Sequence, residues 1–219
     1  MRNNMTELVF ILDKSGSMAG LEKDTIGGFN SLLEKQKAIE GECRITTVLF
    51  STRSQILHDH LDIRAVRPIT DKEYEVGGNT ALLDAIGETV QKITAIQKNT
   101  AEEYRADKVM FVIITDGEEN ASSHFTSDMV KTMITRERTC QGWEFIFLGA
   151  NIDAVETASR YGIVPDRAVD YVPDRKGTTL NFRTMSEAVR EYRSSPDGVI
   201  SDKPFEAIRR DKKERGTSD

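Results

Sequence analysis

The sequence predicts an α/β fold, a doubly wound and mostly parallel sheet with helices on both faces. Two observations carry this. Short, near-continuous apolar runs alternate with longer segments whose apolar residues recur at three- or four-residue steps, as strands buried on both faces and amphipathic crossover helices must. The polar residues with chemical potential cluster directly beyond the apolar runs, where such a sheet gathers its ligand-binding loops.

Residues 8–12 read as the first strand, and Ile26, Phe29 and Leu33 mark one face of the helix after it. Residues 45–50 form the second strand. The next run, residues 55–61, follows after only Ser51, Thr52, Arg53 and Ser54. So short a gap permits an antiparallel hairpin but no helical crossover, so this run is expected at the sheet edge, antiparallel to its neighbour. Leu83, Ile86, Val90 and Ile93 line the second helix, residues 109–114 the next strand, and Met129, Met133 and Ile134 the helix beyond. Residues 145–148, a helix carrying Val155 and Ala158, residues 168–172 and a last helix carrying Met185, Ala188, Val189 and Tyr192 complete the pattern. From Pro196 the pattern fades, and residues 209–215 are almost wholly charged. One domain over residues 1–195 is expected, with 196–219 a charged extension, either a surface helix or disordered.

Composition narrows the function classes. The 219 residues carry 30 Lys and Arg against 36 Asp and Glu, a formal charge of −6, which argues against a grip on a nucleic-acid backbone. No apolar run is long enough to cross a membrane, and the first residues lack the shape of a signal peptide. Cys43 and Cys140 lie far apart without metal-ligand spacing, so free, mostly buried thiols in a reducing compartment are expected. The expected location is the cytoplasm.

Three polar clusters follow or precede the predicted elements: Asp13-Lys14-Ser15-Gly16-Ser17, Gly77-Gly78-Asn79-Thr80 and Thr115-Asp116-Gly117. Asp13, Ser15 and Ser17 are spaced by two, so an extended loop points all three one way, with Gly16 allowing a bend. Three hydroxyls and two carboxylates are hard oxygen donors, suited to Mg²⁺ or Ca²⁺ rather than zinc. Mg²⁺ fits best, because it retains waters and accepts few carboxylates; Mn²⁺ is a plausible substitute.

Asp13, Ser15 and Ser17 after the first strand, Thr80 before a helix and Asp116 after the fourth strand resemble the metal-ion-dependent adhesion site of the von Willebrand factor type A domain. The resemblance is to the stand-alone intracellular kind, prokaryotic or phage-type, and spans residues 5–195. It implies a six-stranded sheet in the order 3-2-1-4-5-6 with strand 3 antiparallel, in agreement with the edge strand inferred from the short gap. It also implies that Ser15, Ser17 and Thr80 bind the ion directly, that Asp13 and Asp116 act through water, and that a partner's carboxylate completes the octahedron. Adaptor roles in multi-protein assemblies, and a last helix able to slide, are further implications.

Other polar residues have plainer readings. His58 and His60 share a face of the edge strand and, with no third ligand, blunt that edge. His124 reads as a surface-loop histidine. Glu118, Glu119 and Asn120 either tune the site or are solvated loop residues. Residues 62–76 are expected near the same rim, as a specificity surface. The expected function is a non-enzymatic, monomeric module binding an Asp or Glu of a partner protein through Mg²⁺, with neither nucleic acid nor membrane as target. Two alternatives stay open. A metal-dependent phosphoesterase would use the same ion as a Lewis acid, although Ser15 stands where dehalogenase-type phosphatases carry a second aspartate, and lies in no GxSxG elbow. A self-associating protein would close the site with Glu206, Glu214 or a neighbour's acid.

Overall fold

The computed structural model describes residues 4–215. Six strands, β1 (Thr6–Asp13), β2 (Cys43–Phe50), β3 (Ser54–Asp62), β4 (Lys108–Thr115), β5 (Glu144–Gly149) and β6 (Ala168–Asp170), form one sheet in the order β3-β2-β1-β4-β5-β6. Every pairing is parallel except β2 with β3. The helices are α1 (Glu22–Lys37), α2 (Leu82–Asn99), α3 (Ser127–Gln141), α4 (Ala154–Arg160), α5 (Arg175–Ser194) and α6 (Lys203–Arg215). No helix among the described residues is long and apolar enough to cross a membrane.

The two faces of β1 define two cores. Leu8, Phe10 and Leu12 join Phe29 and Leu33 of α1, Met185 and Val189 of α5, and Phe205 and Ile208 of α6. Val9 and Ile11 join Ile86 and Val90 of α2, Val130 and Ile134 of α3, and Ala154 and Ala158 of α4. The buried face of α3 is thus rotated from the predicted one: Met129 is exposed and Val130 fully buried. Val155 is likewise exposed, and Ala154 takes its place. Cys43 is buried, but Cys140 is an exposed thiol on α3 rather than a buried one, because it lies away from that helix's apolar stripe.

Residues 203–215 are a helix whose inner face is set into the core by Phe205 and Ile208. Its far end clasps the start of α5, where Arg215 pairs with Asp174, the α5 N-cap, and with Asp211. The other end of α5 is fastened by Lys108, whose Nζ donates to the carbonyls of Tyr192, Arg193 and Ser195 at 3.2, 2.8 and 2.8 Å. Arg193 in turn donates to the carbonyl oxygens of Gln36 and Ile39 at the end of α1. Free helix-end carbonyls need such donors when buried.

The edge strand departs from simple alternation. The β2–β3 register shifts around Thr47, and His60 sits at φ +51°. This bulge turns the two histidines to opposite faces instead of one. His58 is buried, with Nδ1 3.0 Å from Thr47 Oγ1. His60 lies 2.6 Å from the buried Glu7 carboxylate, which also accepts from Thr46. Neither histidine serves to blunt the edge.

Candidate metal centre

β1 and β4 run parallel and in register, Leu12 opposite Ile114, so Asp13 and Thr115 end side by side at one rim. Asp13 is buried and both carboxylate oxygens are engaged: Oδ1 accepts from the Ser15 N–H at 2.7 Å and Oδ2 from Thr115 Oγ1 at 2.6 Å. Beyond Asp13 the chain makes a 3-10 turn at Gly16–Met18 rather than an extended loop. The turn still sets Ser15 Oγ and Ser17 Oγ 3.0 Å apart. From below, the buried Tyr74 hydroxyl donates to the Asp13 carbonyl. Of the segment 62–76, it is this end that supports the rim, while Ile63, Val66 and Ile69 are buried in the core.

The loop carrying Thr80 is laced to that turn. Gly77 N–H donates to the Lys14 carbonyl at 2.8 Å, and Gly16 N–H donates to the Gly78 carbonyl at 3.0 Å. Gly78 has φ +81°, and a Cβ there would lie 2.7 Å from Thr52 Oγ1. Only glycine satisfies both demands.

The third loop comes from β4. A Cβ added to Gly117 would lie 3.0 Å from Ser17 Oγ and 3.5 Å from Thr80 Oγ1. These hydroxyls from two different loops therefore flank the residue next to Asp116. Asn120 holds Thr80 by a reciprocal pair, Thr80 N–H to Asn120 Oδ1 at 2.9 Å and Asn120 N–H to the Thr80 carbonyl at 3.0 Å. Glu119 accepts from the N–H groups of Leu83, Ala121 and Ser122 at 2.8, 2.9 and 2.7 Å. Asp84, in the first turn of α2, accepts from Ser123, His124 and Phe125 in return. Glu119, half-buried, and Asn120, exposed, are thus clips that fix the loop around Thr80, whereas Glu118 is exposed. Sequence alone offered little sign of this. An acid in the first turn of a helix is ordinary, and nothing in Asp84's position points to the loop it anchors.

The five residues are therefore assembled by three loops at the carboxyl ends of β1 and β4. Asp116 is buried, and its Oδ1 has no hydrogen-bond partner. Burial pushes its carboxyl above the usual range; the Ser17 hydroxyl opposes this and the nearby Asp13 adds to it. Asp13 is also pushed up by burial, against hydrogen bonds from Thr115 and Ser15. Two buried carboxylates that repel one another, one with an oxygen unpartnered, suit a hard divalent cation, whose charge both would favour. No three His, Cys, Asp or Glu side chains gather into a metal-binding group among the described residues. The donors available are two carboxylates and three hydroxyls.

No family model matches the chain, and no curated protein matches it in sequence. Solved structures do match it in shape. Proximal thread matrix protein 1 from the mussel byssus superposes over 87% of this chain and 47% of its own, with TM-score 0.56 and 13% identity. The same protein with a zinc-occupied MIDAS motif gives TM-score 0.57 and 10% identity over 82% of this chain and 46% of its own. A von Willebrand factor type A protein from Catenulispora acidiphila gives TM-score 0.55 and 13% identity over 84% of this chain and 42% of its own. The chain spans about half the length of these structures. At such identities the likeness is one of fold: the six-stranded sheet, ordered 3-2-1-4-5-6 with an antiparallel third strand, is that of the von Willebrand factor type A domain.

Proposed function

We propose that this chain is a non-enzymatic protein-interaction module that captures an Asp or Glu side chain of a partner protein through a bound Mg²⁺. Ser15, Ser17 and Thr80 would hold the ion directly, and Asp13 and Asp116 would act through water. The observation that carries the reading is the buried Asp116 Oδ1, without a hydrogen-bond partner, beside hydroxyls from two other loops. Bound there, the ion supplies positive charge that two carboxylates only just balance, so its outer positions favour water or an external carboxylate. Mn²⁺ or Ca²⁺ would substitute. The zinc-occupied motif of proximal thread matrix protein 1 supports a divalent ion at this rim of the fold.

The chain's own residues prepare the site. Thr115 and the Ser15 N–H orient Asp13, Asn120 sets Thr80, and Tyr74 fixes the backbone between β1 and the turn. We place this activity in the cytoplasm and assign it to a monomer. A pull-down from native lysate, wild type against Asp13→Ala, in Mg²⁺ and in EDTA, tests the reading. The same partners should be lost with the variant and with the chelator. Partners retained in both would overturn it, and Mg²⁺-dependent turnover of a generic phosphoester, lost in Asp13→Asn, would overturn the non-enzymatic part.

A further inference from the structure

A second surface lies away from the metal rim, along α1, α5 and α6. A cleft of about 760 Å³ between α5 and α6 and another of about 320 Å³ between α1 and α5 adjoin across α5, where they share Thr179 and Arg183, and together make one grooved surface. Three of its four acids are engaged within the fold, Asp174 and Asp211 by Arg215, Asp211 also by Lys176, and Asp24 by Arg175, while the fourth, Glu214, is exposed at one end. Among the described residues, Lys23, Lys35, Arg183 and Arg210 line it, are exposed, and have no acidic partner. The protein as a whole carries −6, so this groove runs against its overall charge.

Part of the floor is apolar. Leu180 and Ala207 contribute to it, and on α1 it passes over Gly27. Glycine inside a helix is disfavoured, and its neighbour Gly28 has an internal reason: a Cβ there would lie 2.3 Å from the Phe182 ring. Gly27 has none, since a Cβ there would meet nothing within 4 Å. With no side chain there, α1 leaves that part of the cleft open.

We infer that this groove docks an acidic, partly apolar segment of a partner protein, its carboxylates meeting the unpaired cations and its apolar side chains the floor over Gly27. Charge complementarity selects that occupant. A nucleic-acid backbone, charged along its whole length, suits the groove less, because Leu180, Ala207 and the bare Gly27 leave apolar floor between the cations.

Fluorescence anisotropy with a short labelled peptide of alternating glutamate and leucine, in EDTA, tests this with the metal rim taking no part. Failure here therefore leaves the metal-dependent reading standing. The wild type should bind the peptide, and binding should weaken with salt. Arg183→Glu with Arg210→Glu should weaken it about tenfold or more, and Gly27→Leu should weaken it with the charges intact. Lys98→Glu with Lys131→Glu, on exposed parts of the opposite helical layer, makes the same net-charge change and should leave binding unaltered. Circular dichroism confirms that each variant is folded. Absence of binding to the wild type, equal loss in the control pair, or tighter binding of a single-stranded DNA oligonucleotide would each overturn the inference.

Discussion

Thr115 Oγ1 donates a 2.6 Å hydrogen bond to Asp13 Oδ2, tying the carboxyl ends of two neighbouring parallel strands together through their side chains. Thr115→Val keeps the shape and removes the donor. Asp13 Oδ2 is then a buried acceptor without its partner, which costs about 1–3 kcal/mol. Urea unfolding in EDTA should show that loss. Mn²⁺ binding followed by electron paramagnetic resonance should weaken by about 10–100-fold, as for a partner that orients a metal-linked carboxylate. An unchanged Mn²⁺ affinity would separate Asp13 from the ion.

Asp116 gives the opposite sign in the metal-free protein. Burial and the neighbouring Asp13 charge both raise its carboxyl, so holding it ionised near neutral pH works against folding unless a cation is present. In EDTA, Asp116→Asn should therefore melt at the wild-type temperature or above it. With Mg²⁺ at about a hundred times its dissociation constant, the wild type should gain about 2.7 kcal/mol, and the variant should gain little. A Mg²⁺-dependent rise of equal size in both proteins would contradict the role given to Asp116.

The layout of sheet and rim was legible from spacing because two elementary constraints act there. A four-residue gap admits no crossover helix, so β3 had to pair antiparallel with β2. Parallel strands send their following loops to one end, so Asp13 and Asp116 had to converge once their strands were recognised, whereas Thr80 follows the antiparallel β3 and reaches that rim at the start of α2. What was missed depends on contacts that no local pattern records. The His60 bulge arises from a register shift against β2, and the anchoring of the Glu119 loop depends on an acid far away on α2. For α6, whose helix was one of two alternatives expected, the buried side was obscured by its charge. Its apolar side, Pro204, Phe205 and Ile208, is narrow, and a reading dominated by residues 209–215 hid it.

His58 makes stability depend on pH. Burial lowers its pKa, and its ring bonds Thr47 inside the β2–β3 pair. The folded protein therefore keeps it neutral to lower pH than the unfolded chain, whose histidine titrates near 6.5. Between those two values the unfolded state binds more protons, so stability falls as pH falls through about 6.5 and below. The urea midpoint of the wild type should drop between neutral pH and about pH 5. In His58→Gln, which retains a polar group for Thr47 but cannot titrate, the drop should be shallower. Parallel curves for the two proteins would assign the acid sensitivity to another group.

Phe205 decides whether the last helix belongs to the folded unit. Its ring is fully buried, with the guanidinium groups of Arg167 and Arg209 5.7 and 6.0 Å from its centre. Arg209 also donates to the Asp166 carbonyl just before β6. If α6 folds with the sheet, Phe205→Ala removes a core side chain and should cost about 3–5 kcal/mol in one cooperative urea transition. If residues 196–219 were an appendage on a domain complete at residue 195, the same change would shift the midpoint by no more than about 0.5 kcal/mol, as at an ordinary surface position. The slope of the transition adds an independent readout. Wild-type protein and variant should unfold with equal slopes when α6 is part of the cooperative unit, whereas a helix detached by the substitution would lower the variant's slope, because less surface would then be exposed in the main transition.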